Sequence, residues 1–194
     1  ANVPALIADA HETAMRVALA EPDAEAAAMH AEAAQKADPS RPLTAYVRGR
    51  AAYDEGNYEQ ALAAFQEAAR AARDRGREIS ELHLYLGDTF ARLDRYQDAE
   101  MEFREELRVF PESIRAYASL TTLYRASNRD EAVQATIEEL LQAAPTPEGY
   151  SMATRLWTIV GERAKADALR ADARRRFRGD PARSEEHTSE LQSH

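Results

Sequence analysis

Apolar side chains along this chain recur at steps of three and four, the spacing that lays them on one face of an α-helix. The pattern also comes in blocks that repeat. Ala45–Arg70 overlies His83–Arg108, with Gly49 falling on Gly87, Tyr58 on Tyr96, Ala61 on Ala99 and Phe65 on Phe103, every offset being 38. Ala116–Leu141 continues the series: Leu86 returns at Leu120 and Phe90 at Tyr124, 34 residues on, and Ala99 at Ala132, 33 on. In a fourth block Tyr124 returns at Trp157 and Ala132 at Ala166. A period of this length marks a stack of helical hairpins. Gly56 and Gly161 are expected in the short turns inside hairpins, where the backbone must be permissive. Upstream, Ala5–Ala20 and Asp23–Ala37 predict two more helices, separated by Glu21-Pro22 and closed by Asp38-Pro39. This N-terminal pair holds few large apolar residues (Leu6, Ile7, Met15, Val17, Leu19, Met29) and is expected to be the loosest region.

Composition narrows the fold class. Of 194 residues, 44% are hydrophobic, so a buried core is within reach. The 41 alanines favour helix, because alanine loses no side-chain entropy there. Seven glycines and eight prolines are too few to punctuate a many-stranded sandwich. With no cysteine, disulfide frameworks, thiolate metal sites and cysteine nucleophiles are excluded. A net charge of −9 argues against general nucleic-acid binding, which rests on neutralising phosphates. No apolar run is long enough to span a bilayer, and no signal peptide is visible in a chain that opens on Ala1 rather than methionine.

The last twelve residues, RSEEHTSELQSH (Arg183 to His194), break the pattern. From Arg183 to Ser193 they resemble the in-frame translation of a sequencing-library adapter, and they are set aside from the fold. On that reading the natural chain continues beyond about Ala182. The segment's one arginine and three glutamates carry a net −2, so the chain stays acidic without it.

The repeating residues resemble the tetratricopeptide repeat family. That signature has a bulky residue, a leucine-glycine pair and an aromatic in the first helix, then an alanine, an aromatic four further on and a closing proline. His83, Leu86-Gly87, Phe90, Tyr96, Ala99, Phe103 and Pro111 follow it closely. The preceding unit keeps Gly49, the Gly56-Asn57-Tyr58 turn, Ala61, Phe65 and Ala68, with Arg48 for leucine and no proline. The next has Leu120, Tyr124 and Ala132, with Thr121 for glycine and Thr136 for the aromatic. The last has Trp157, Gly161, Ala166 and Ala173, with Thr154 for glycine and Arg170 for the aromatic. The resemblance implies an all-α, right-handed superhelical array of antiparallel helix hairpins. It divides the chain into an N-terminal pair (1–40), four units (41–78, 79–112, 113–145 and 146–178) and a tail. Gly49, Gly87 and alanines 61, 99, 132 and 166 would leave room at helix crossings. Phe65 and Phe103 would fill the space between hairpins.

Catalytic motifs are not found. There is no glycine-rich phosphate loop, nucleophile elbow or zinc-helix signature. His11-Glu12 starts like a zinc-protease motif, but Met15 stands where the second histidine belongs. His83 reads as a partly buried packing residue. Glu105-Glu106 and Glu138-Glu139 read as solvated helix surface, and Arg174–Arg176 with Arg178, around Phe177, as a solvated last helix whose cations suit its dipole. Neither a metal nor a cofactor is expected.

Arrays of this family curve, with the first helix of each pair lining the concave side. By that resemblance the exposed groove positions are Tyr46, Arg50, Tyr53, Leu84, Asp88, Arg92, Thr122 and Arg125, a mixture common at binding hot spots. The family's known groove for a terminal carboxylate uses lysines and asparagines. Tyr46, Arg50, Tyr85 and Ser119 hold the comparable places here, so that clamp is absent. The resemblance implies a non-catalytic scaffold for a protein or peptide partner; charge and hydropathy speak against nucleic acid and a membrane span, and a separate reading is self-association through the open C-terminal end. A second resemblance, of LGDTFARLDRYQDAEMEFREELRVFP and PTPEGYSMATRLW to repeat tails of larger bacterial enzymes such as sulfatase-like hydrolases, implies an accessory region of such an enzyme.

Overall fold

A computed structural model describes residues 3–178, so the tail singled out at 183–194 lies outside the described residues. Ten helices are present among them: α1 (Val3–Ala20), α2 (Ala24–Ala37), α3 (Leu43–Asp54), α4 (Tyr58–Asp74), α5 (Leu82–Arg92), α6 (Tyr96–Val109), α7 (Ile114–Ala126), α8 (Asp130–Ala143), α9 (Pro147–Ile159) and α10 (Arg163–Arg176). No described residue is in a strand. The described residues form two compact units that divide between Leu123 and Tyr124, and each is described by itself.

In the first unit, α1 and α2 meet through small side chains. Ala8, Met15 and Ala18 are buried on one helix and Ala27, Ala31 and Ala34 on the other. Asp23 starts α2 by accepting the Ala26 amide at 2.9 Å, which satisfies one of the free donors of the first turn. Arg41, just before α3, ties the pair down. Its guanidinium reaches Asp9 and Glu12 of α1, each at 2.6 Å, and Asp38 at 3.1 Å. Arg77, from the α4–α5 connection, joins Asp38 at 2.9 Å. The Ser40 hydroxyl, then Arg41 and the Ser40 amide, hold the Asp38 carboxyl down at about 2.

The next two hairpins share one device. A Cβ added at Gly49 would come within 2.5 Å of the Phe65 ring, and one at Gly87 within 2.5 Å of the Phe103 ring. Each ring of the second helix therefore lies on bare backbone of the first. Phe65 and Phe103 are essentially inaccessible, as are Ala61 and Ala99 one turn earlier on the same helices. Phe65 also faces Tyr46 and Tyr85 at ring separations of 6.0 Å, so it packs within its hairpin and against the next one.

A second device recurs in the turns. Gly56, Asp94, Asn128 and Gly161 all have positive φ, at 79°, 59°, 54° and 90°. After each, the next amide reaches back five residues: Asn57 to the Ala52 carbonyl, Arg95 to Phe90, Arg129 to Tyr124 and Glu162 to Trp157, all at 2.8–2.9 Å. This closes the helix end, with the left-handed residue supplied by glycine, aspartate or asparagine, which tolerate it best.

In the second unit, Tyr124, Val133, Ile137, Leu140, Ala153, Leu156, Trp157 and Ala166 are buried. Thr146 caps α9 by accepting the Gly149 amide at 3.2 Å, with Pro147 at the first helical position. Gly149 itself has no room for a side chain, because a Cβ there would lie 2.0 Å from the Ala144 carbonyl oxygen. Only Ala166 of α10 is buried, and the helix is rich in charged residues, five of its fourteen being arginine. Phe177 is not simply solvated: it meets Tyr150 edge-on at 5.3 Å, and Arg176 donates to the Tyr150 hydroxyl at 2.9 Å.

The crossing at Gly87 sets the register of its hairpin. Gly87→Leu is expected to destabilise the protein by about 1–3 kcal/mol through overpacking against Phe103. Thermal unfolding followed by circular dichroism checks this, and an unchanged midpoint would contradict the packing.

Candidate functional site

The expected groove residues fall on α3, α5 and α7, but the structure does not expose them equally. Tyr46 is 1% exposed, Leu84 1% and Arg50 8%, so the exposure expected for these three does not hold. For the two on α3 the cause is the neighbouring helices, since Tyr46 packs on Phe65 of α4 at 6.0 Å and Arg50 on Tyr85 of α5. The Arg50 guanidinium carbon sits 3.9 Å from the centre of the Tyr85 ring. Burial pushes the Tyr46 phenol up to about 12.

The remaining positions of the first unit reach the surface to different degrees. Tyr53 is half-buried and meets Tyr85 edge-on at 5.4 Å and Tyr58 at 5.6 Å. Asp88 is half-buried and accepts from the Ser119 hydroxyl at 3.3 Å; burial pushes its carboxyl up. Arg92 and Thr122 are exposed. Arg92 bonds Tyr53 and lies 5.8 Å from the centre of the Tyr58 ring, while the Thr122 hydroxyl donates to its own helix at Ala118. Arg125 belongs to the second unit, where it donates to the Ile159 carbonyl at 2.7 Å.

Arg115 belongs with this group, though sequence reasoning missed it. Its guanidinium reaches Glu81 at 2.6 Å and the Tyr85 hydroxyl at 3.1 Å, bridging α7 to the start of α5. The 34-residue step from Glu81 to Arg115 is the repeat period, a signal that could have found the pair. The face thus carries Arg50, Arg92 and Arg115 among Tyr46, Tyr53 and Tyr85.

Two other expectations change or gain detail. Glu106 is not a solvated helix residue; it is 1% exposed. Its carboxylate accepts the backbone amides of Glu81 at 3.1 Å and Leu84 at 3.3 Å, at the N-terminus of α5. Burial raises its pKa against the opposing pull of those amides. Glu106 follows Phe103 by three residues, so helical periodicity already placed it on the inner face. His83 is half-buried and meets the Glu102 carboxylate at 2.6 Å. Burial disfavours its charged form, but the Glu102 bond and the Glu102, Glu105 and Glu106 charges outweigh this, and its pKa is raised.

Comparison with solved structures sets these hairpins in context. TTC0263, a thermophilic tetratricopeptide protein of Thermus thermophilus, is 20% identical at a TM-score of 0.60, covering 94% of this chain and 99% of its own. The fold is of the tetratricopeptide type. MamA residues 41 to the end from Desulfovibrio magneticus RS-1 align at a TM-score of 0.57, with 14% identity over 90% of this chain and 97% of that one. YrrB, described as a tetratricopeptide protein with an unusual peptide-binding site, aligns at 0.52 with 16% identity over 86% of this chain and 84% of its own. No family model matches the sequence, and no curated protein matches it significantly. These structures lend no support to the reading as the tail of a hydrolase. No described helix is long and apolar enough to cross a membrane.

Removing the Glu106 carboxylate leaves two amides at the start of α5 without their acceptor. Glu106→Ala should cost about 1–3 kcal/mol in chemical denaturation, and an unchanged stability would contradict the capping role. The His83 shift has the opposite sign from that of a paired acid. A raised pKa means that the folded state holds the proton more tightly. Its stabilisation is therefore full below the unfolded value of 6.5 and lost as pH rises through the folded value. His83→Gln should accordingly lower the melting temperature more at pH 5.5 than at pH 8.5, and an equal loss at both would contradict the pairing.

Proposed function

We propose that this chain is a non-catalytic scaffold that binds a protein or peptide partner along the first-helix face of its 3–123 unit. In this reading Tyr53, Asp88, Arg92 and Thr122 make the accessible contacts, and Tyr46, Arg50 and Leu84 form the floor that holds them in place. The observation that carries it is the run of tyrosines and arginines along α3, α5 and α7, where rigid aromatic area and forked donors lie side by side. YrrB, of similar fold, is described as having a peptide-binding site, which favours a peptide occupant. Arg125, in the second unit, is proposed as a contact of the same kind. The division into units 41–78, 79–112, 113–145 and 146–178, each one hairpin, belongs to this proposal and is supported by the recurring left-handed turn.

Binding should therefore separate from folding at the exposed positions. Peptides selected from a neutral display library should lose about tenfold or more in affinity, by anisotropy, when Tyr53 and Arg92 are both changed to alanine, with the far-ultraviolet helical signal kept. Unchanged affinity in the double variant would overturn the assignment of the face. Tyr46→Ala is a poor probe because that ring is core.

A further inference from the structure

Resting on the reading above, we propose that this face takes an acidic segment, with aspartate or glutamate side chains seated over Arg50 and Arg115. The central observation is Arg50. It is buried, and no carboxylate forms an ion pair with it among the described residues. Its Nη1 makes one long bond, 3.5 Å, to the Tyr46 hydroxyl, and its buried Nε has no partner. A buried cation without a counter-ion is unfavourable, and its stacking against the Tyr85 ring compensates only in part.

The surroundings make this local charge count. Arg92 and Arg115 flank the Tyr53–Tyr85 pair, and Arg115 is half exposed. The nearby acids are already engaged. Glu81 is bonded to Arg115, the Asp88 carboxylate accepts from Ser119, and Glu106 is held by two amides of α5. In a chain of net charge −9, this face gathers three arginines, and the carboxylates beside them already hold other partners. Guanidinium groups bind carboxylates through paired, parallel hydrogen bonds, and such bonds strengthen where water is thin. Side-chain carboxylates fit this arrangement because the guanidinium donors of Arg50, Arg92 and Arg115 are spread over α3, α5 and α7 rather than converging on a single chain end.

The test uses the full chain and two fluorescein-labelled, C-terminally amidated peptides, one rich in glutamate and one with glutamine at the same positions. Amidation removes the terminal carboxylate as a source of binding. The glutamate peptide should bind at least tenfold tighter than the glutamine peptide, and more weakly as salt is raised. Arg50→Met should abolish the difference while the helical signal persists. If Arg50→Met does not fold, Arg115→Gln decides, and should reduce the preference severalfold. Equal binding of the two peptides, an undiminished preference in the folded variants, or binding of labelled single-stranded DNA in place of the glutamate peptide would each overturn the proposal. Should neutral library peptides still bind through Tyr53 and Arg92 while glutamate brings no gain, the acidic-segment proposal fails and the scaffold reading stands. If neither class binds, both fail.

Discussion

Two phenyl rings resting on bare glycine backbone organise the middle of this protein. Phe65 lies over Gly49 and Phe103 over Gly87, each at a separation no Cβ could share. That contact brings the two helices of a hairpin close enough for Ala61 and Ala99 to seal the crossing. It also fixes which faces of the first helices remain for other work. The ring of Phe65 continues to Tyr46 and Tyr85, so the glycine contact and the floor of the candidate site belong to one packed layer.

From this layer the electrostatics follow. With Tyr85 held against α3, Arg50 packs on its ring and loses most of its water, and Arg115 is drawn onto the Tyr85 hydroxyl from α7. The acid side of the balance is fixed by backbone and neighbours: Glu106 by the start of α5, Glu81 by Arg115 and Asp88 by Ser119. The same residues that close the core thereby leave an aromatic strip carrying Arg50, Arg92 and Arg115 on an acidic protein. A different arrangement holds the N-terminal pair, where alanines make the contact and the Arg41–Asp9–Glu12–Asp38 cluster supplies the tie.

Much of the fold was legible because repetition is visible in spacing. Gly49, Gly87, Phe65 and Phe103 announce a crossing once they are seen at one offset. The turns were only half legible. Gly56 and Gly161 advertise a left-handed residue, whereas Asp94 and Asn128 do the same work without glycine. The candidate site was read less well, for a physical reason. A single helix shows which residues share a face, but not whether the next helix lays a large ring across it. Tyr46 and Arg50 share the α3 face of Tyr53, yet Tyr46 packs on Phe65 and Arg50 on the Tyr85 ring of the next helix. Glu106 was misjudged because carboxylates usually face water, although its place beside Phe103 and Leu107 indicated the inner side.

The central claim is that the first-helix face of the 3–123 unit is where a partner sits. Backbone amide chemical shifts followed during titration with the glutamate-rich peptide test it most directly. The account predicts that the shifting amides cluster at Tyr53, Asp88, Arg92, Arg115 and Thr122. Shifts confined to the exposed apolar positions of α1, at Val3, Leu6 and Ile7, or spread evenly over the surface, would contradict it.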